Sequence, residues 1–165
     1  MAVDKLKEIF TSLFEENIGI ILKISRAYTN TSHDREDLIN DIALELWKAF
    51  PRFRGQSKLS TWIYRIALNT SLNYKRRKKN LVLFSEMNRN KSIASLIDQD
   101  DNQNIDTLYS CIDELSEINK AIIILYLDGN SHDEIAEITG ISKTNVGTRI
   151  SRIKEQIKKI VKSKN

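Results

Sequence analysis

The 165-residue chain has a single cysteine, a single proline and five glycines. One cysteine excludes an internal disulfide and fits a reducing compartment, so Cys111 reads as a small packing residue rather than a nucleophile. Scarce proline and glycine mean few tight turns, and long helices are the first expectation. Apolar runs are short as well. The longest, Ala121 to Leu127, falls far below the roughly 20 residues that span a bilayer. The opening MAVDKLKEIF has no long apolar core of the kind a secretory signal carries, so a cytoplasmic location is expected. Only two histidines are present, His33 and His132; they are far apart in the chain, and no carboxylate pair is spaced beside a His or Lys in a catalytic pattern. That argues against a nucleic-acid enzyme and against a metal site, and no nucleotide-binding motif suggests a cofactor.

What is present is charge, and its placement is uneven. The net charge is only +4. Yet Arg65, Lys75, Arg76, Arg77, Lys78 and Lys79 fall in one stretch without an acid. From Lys143 to the end there are eight basic residues and one acid, Glu155. The stretch between, Ser85 to Glu114, is rich in acids. Two basic blocks on either side of an acidic one suggest two polyanion-binding surfaces. A solvated helix face accounts for each block equally well on charge alone.

Apolar spacing gives the organisation. Leu6, Ile9, Phe10, Leu13 and Phe14, then Ile18, Ile21, Ile24 and Tyr28, recur at helical intervals. Ser32 or Asp34 can cap a second helix with Leu38, Ile42, Leu46, Trp47 and Phe50 on one side, stopping at Pro51. After the polar loop RFRGQSKLS, Ser57 or Ser60 can cap a third helix, reaching about Lys79 with Leu59, Trp62, Ile63 and Ile66 on its apolar face and Thr70 as a candidate to extend it. Residues 80–105 lose periodicity and read as a linker. Helical spacing then returns through Ile112, Leu115, Ile118, Ile122, Leu125 and Tyr126. No strand pattern appears. The expected fold is all-α, with two small helical domains, 1–79 and 106–165, joined by a flexible linker over 80–105.

The last third carries the sharper motif. Ser131 and Glu134 form a capping box opening a short helix, Gly140 supplies a turn, and Ser142 caps a longer helix with Val146, Ile150, Ile153, Ile157 and Ile160 in one stripe. That arrangement is a helix-turn-helix. Its second helix leaves Lys143, Thr144, Asn145, Thr148, Arg149 and Arg152 on polar faces, residue types suited to base edges and phosphates.

Residues 34–79, DREDLINDIALELWKAFPRFRGQSKLSTWIYRIALNTSLNYKRRKK, resemble region 2 of bacterial RNA polymerase sigma factors of the extracytoplasmic-function type. Asp34, Glu36, Asp37, Leu38, Asp41 and Trp47 match its first half. Trp62, Ile63, Arg65, Ile66, Ala67, Asn69, Arg76 and Arg77 match its second. The C-terminal motif is similar to region 4 through Leu115, Gly129, Ser131, Glu134, Ile135, Ala136, Gly140, Ile141, Ser142, Val146, Arg149 and Arg152. Departures from the family pattern include Asn40 for glutamine, Ala43 for an aromatic, Ser116 for proline, Thr144-Asn145 for Gly-Thr and Gly147 for lysine.

The resemblance implies a factor that binds core RNA polymerase and directs it to promoter DNA, with an anti-sigma factor as a further candidate partner. It implies that Asp37, Leu38, Asn40, Asp41 and Trp47 meet the polymerase. Ser57, Lys58, Ser60, Thr61 and Trp62 would melt the promoter, and Arg65, Asn69, Asn73, Lys75, Arg76 and Arg77 would follow its downstream element. Ser142, Lys143, Thr144, Asn145, Thr148, Arg149 and Arg152 would read the upstream element. A helix-turn-helix regulator that needs no polymerase is the alternative, and it leaves residues 34–79 unexplained.

Overall fold

The computed structural model describes residues 2–84 and 103–164, with side chains as far as Lys78 and again from Gln103. The chain divides into two compact units, one on each side of the residues between. Every regular element among the described residues is helical, as the sequence leads one to expect. Residues 85–102, most of the expected linker, lie outside the described residues.

The first unit contains α1 (Ala2–Glu16), α2 (Ile18–Ala27), α3 (Ser32–Ala49), a 3-10 turn at Phe50–Arg52 and α4 (Leu59–Phe84). The early apolar pattern thus forms two helices, not one. The break falls at Asn17, whose side-chain Nδ2 donates to the Leu13 carbonyl at 2.9 Å. Asn17 offers the backbone a local alternative to continuing the helix. Thr31 caps α3, its side chain accepting from the Asp34 N–H at 3.0 Å. Pro51 ends α3 by entering the 3-10 turn.

α4 lies against both α2 and α3, and this explains which of its residues are buried. Ile63, Tyr64, Ala67, Leu68 and Tyr74 are buried, together with Thr61, Thr70 and Ser71. The stripe of Leu59, Trp62, Ile63 and Ile66 describes only part of that surface, because a helix packed on two sides has two apolar faces. Thr70 and Ser71 satisfy their hydroxyls on carbonyls one turn back, at 2.7 Å each, so they can be buried without orphaned donors. α4 also continues past Lys79 to Phe84. α1 has no fully buried residue. It is attached through Phe10, whose ring lies 5.1 Å from Trp47 and 5.6 Å from Phe50 between centroids.

The second unit contains α5 (Gln103–Asp113), α6 (Glu117–Leu127), α7 (His132–Thr139) and α8 (Lys143–Lys164). Ser116 separates α5 from α6 by capping the latter, accepting from the Asn119 N–H at 3.3 Å. Cys111, Ile112, Ile122, Leu125, Ile135, Val146, Ile150 and Ile153 make the core, and Cys111 is fully buried as expected. Lys120 is buried there too, with Nζ 3.6 Å from Asp113.

Both tryptophans, Trp47 and Trp62, belong to the first unit, so indole fluorescence reports its unfolding alone. Leu46→Ala empties a fully buried site, whereas Leu44 is half exposed. Urea titration of the full chain should show Leu46→Ala losing about 2–5 kcal/mol. Leu44→Ala should stay within about 0.5 kcal/mol of the parent.

Candidate functional site

α3 and α4 run antiparallel: Asp34 near the start of α3 meets Lys78, while Ala49 at its end shares a groove with Ile66. This orientation brings the acidic face of α3 onto the basic end of α4. Lys78 Nζ donates to Asp34, and Arg77 Nη2 donates to Asp41 Oδ2 at 2.9 Å. Tyr74 sits between the two cations, about 6.0 Å from each to its ring centre. Its hydroxyl lies beside the Asp34 carboxylate without a full hydrogen bond.

Proton affinities follow from this cluster. Burial alone would raise the Asp34 carboxyl. The Lys78 hydrogen bond and charge, with help from Thr31 and Tyr74, outweigh burial and hold it below its ordinary 3.8. The Tyr74 phenol is pushed well above its ordinary 10.0 by burial first, then by the negative charge of Asp34, with Asp37 and Asp41 adding to it. Asp34 is therefore ionised and Tyr74 protonated throughout the physiological range.

The residues expected to meet polymerase do not all share a surface. Asp37 and Asn40 are exposed and Asp41 is partly so. Leu38 is fully buried in the core, so it supports α3 from behind and presents nothing to a partner. That is a correction forced by packing: the side of α3 carrying Leu38, Ile42 and Leu46 faces inward. Trp47 is half-buried against Phe10.

A groove of about 650 Å³ between α3 and α4 is lined by Asp41, Glu45 and Lys48 on one side and Asn69, Asn73 and Arg77 on the other. Asn69, Asn73, Arg76 and Arg77 are exposed, and Arg65 and Lys75 half-buried. In the preceding loop, Lys58 is exposed and Ser57 and Ser60 are half-buried. Thr61 is buried, which removes it from any nucleic-acid surface. Trp62 is half-buried and lies 4.9 Å from Phe53 between ring centres, leaving part of the indole at the loop's edge.

The helix-turn-helix is built as its local signals indicate. Ser131 and Glu134 make both bonds of the capping box, and Gly140 ends α7 in the left-handed region at φ 78°. Ser142 Oγ accepts from the Asn145 N–H at 3.2 Å. Ser142, Lys143, Thr144, Asn145, Thr148 and Arg152 are exposed along α8. Lys143 reaches Asp133 at 3.2 Å and so ties the starts of α7 and α8 together. Arg149 differs from its neighbours: it is half-buried, and its Nη1 donates to Asn119 Oδ1 of α6 at 3.0 Å. Ser151 was absent from the expected set, yet it is exposed beside Arg152. Its seven- and three-residue steps from Thr144 and Thr148 were a signal that could have found it. His132 is half-buried beside Gly147, where an added Cβ would lie 3.6 Å from its ring.

Both units have counterparts among known proteins. Sigma-70 region 2 matches residues 13–81, and sigma-70 region 4 matches residues 105–157. The ECF RNA polymerase sigma-E factor of Haemophilus influenzae is 30% identical over 76% of this chain and 73% of its own length. The chain belongs to the ECF sigma-factor family. Sigma-E of Escherichia coli K12 is 31% identical over 76% of this chain and 73% of its own. Sigma factor YlaC of Bacillus subtilis is 25% identical over 94% of this chain and 91% of its own. Among solved structures, the sigma factor RpoE of Bartonella quintana, crystallised with the anti-sigma factor NepR, superposes with TM-score 0.73 at 21% identity, covering 90% of this chain and 95% of that one. CnrH, solved with the cytosolic domain of CnrY, gives 0.72 at 19% identity, covering 96% and 91%. As a sigma factor, this chain binds core RNA polymerase and directs promoter-specific transcription initiation. Among the described residues, no helix is long and apolar enough to cross a membrane.

The lowered Asp34 carboxyl has a pH signature. A carboxyl whose folded value is depressed adds stability that is complete above its unfolded value and is lost as pH falls through the folded one. Between about pH 5 and about pH 2.5 the urea midpoint read by tryptophan fluorescence should therefore fall more for the wild-type protein than for Asp34→Asn. Equal falls would contradict the Lys78 pairing.

Proposed function

We propose a division of labour within the sigma factor. Residues 1–79 dock on core polymerase and open the promoter, and residues 106–165 read its upstream element. Asp37, Asn40 and Asp41 on α3 form the docking face. An acidic patch of this kind suits a partner rich in Arg and Lys. The loop around Ser57 and Lys58 and the exposed side of α4, with Asn69, Asn73, Arg76 and Arg77 flanked by the half-buried Arg65 and Lys75, follow the downstream element. The partly open indole of Trp62 offers a flat surface on which an extruded base can stack. The exposed start of α8 enters the major groove through Lys143, Thr144, Asn145, Thr148, Ser151 and Arg152, with Ser142 at its cap. The protein acts in the cytoplasm, by binding rather than by catalysis. An anti-sigma factor is a further proposed partner, on the analogy of the complex formed by the Bartonella protein.

The observation that carries this reading is the order of the two units: a charged α3–α4 pair first, then a fully capped helix-turn-helix with a polar, exposed leading turn. Asp41 has a double part in it. It pairs with Arg77 in the free protein and turns to polymerase in the complex, which releases Arg77 to DNA. An ion pair this exposed contributes at most about 1 kcal/mol, so a polymerase surface can displace it.

Run-off transcription and co-elution with core polymerase test the scheme. Asp41→Arg should abolish co-elution and all specific starts. Arg152→Ala should leave co-elution intact and weaken selective initiation by about 5- to 100-fold. Loss of specific starts without any change in either binding step would overturn the assignment.

A further inference from the structure

Asn145 and Arg149 stand one turn apart at the start of α8, and their side chains are joined. Arg149 Nε donates to Asn145 Oδ1 at 3.2 Å. The same guanidinium is held from behind, because its Nη1 donates to Asn119 Oδ1 at 3.0 Å. Asn119 is fixed in turn, its backbone N–H bound to the Ser116 side chain that caps α6. Arg149 therefore bridges the recognition helix and α6, and its orientation is set by a residue thirty positions earlier in the chain.

The bridge has a consequence for base reading. A free asparagine recognises adenine with both ends of its carboxamide, the oxygen accepting from N6 and the amino group donating to N7. At residue 145 the oxygen is turned toward Arg149, and a guanidinium can only donate. The amino group is left as the outward end, and no acceptor among the described residues takes it. Its two N–H bonds leave a single nitrogen, and guanine, whose N7 and O6 are adjacent acceptors, can take both. They mismatch adenine, whose N6 amino group is itself a donor. They also mismatch cytosine, which offers only a donor there, and they gain less from thymine, with one acceptor beside a methyl group.

Resting on the upstream-element reading of α8, we infer that Arg149 is a positioning residue that turns Asn145 into a guanine reader. Arg149 itself does not touch a base. The sequence pattern groups Arg149 with the base-reading residues; the bracket from Asn119 to Asn145 removes it from that group.

The test uses the full chain with core polymerase, on a promoter library randomised in the upstream element, with run-off transcripts sequenced. Asn145→Ala should relax one position, and at that position the wild-type protein should favour G·C over A·T by about threefold to tenfold. Arg149→Met keeps the length and the helix but removes the donors, and should move the preference at that same position toward A·T while polymerase co-elution is unchanged. The wild-type and Asn145→Ala libraries decide the base without relying on the Arg149 variant. A wild-type preference for A·T there, no position relaxed by Asn145→Ala, or a folded Arg149→Met protein that keeps G·C would each overturn the inference. Specific transcripts from the wild-type protein in the same reactions would leave the broader assignment of the protein standing.

Discussion

Antiparallel packing of α3 on α4 sets the acids of one helix against the bases of the other, and the behaviour of the N-terminal unit follows from that contact. Tyr74 is buried at the crossing, with Asp34 and Lys78 on one side and Asp41 and Arg77 on the other. The pairs contribute little stability individually, since most of these side chains are well exposed. Their effect is on direction. The two ion pairs hold Arg77 and Lys78 of α4 toward Asp41 and Asp34 of α3, so the surfaces proposed for a protein partner and for DNA are neighbours on the α3–α4 pair.

The C-terminal unit uses a different device, a set of local caps. Ser116, Ser131 and Ser142 each accept a backbone N–H at the start of a helix. Gly140 closes the turn between α7 and α8. Together these fix where α8 begins, and hence which residues occupy its leading turn. The rest of α8 is anchored by Val146, Ile150 and Ile153 in the core.

How much could be read from the sequence follows from this contrast. The helix-turn-helix was legible to the residue, because capping boxes and glycine turns act within four positions of themselves. The all-α class was legible from apolar spacing and the near absence of proline and glycine. The break at Asn17 was not, since one asparagine within an unbroken apolar rhythm gives no sign of which carbonyl it will take. Leu38 looked like a neighbour of the docking acids and proved to be core, because sequence proximity to Asp37 says nothing about which side of the helix faces inward. Thr61 was misplaced for the same reason. Arg149 matched the family pattern and carried the right chemistry for DNA, yet its partner Asn119 lies in another helix. Contacts of that separation have no local signature.

The central proposal is that the α3–α4 pair serves two partners, with Asp41 and Arg77 exchanged between them. The most direct measurement is the affinity of core polymerase for Arg77→Ala, taken together with promoter opening by the resulting holoenzyme. Removing Arg77 frees Asp41, so the account predicts polymerase binding tightened by about threefold while opening of the promoter is impaired, a shift within the range of an exposed ion pair. Weaker polymerase binding, or undiminished promoter opening, would contradict it.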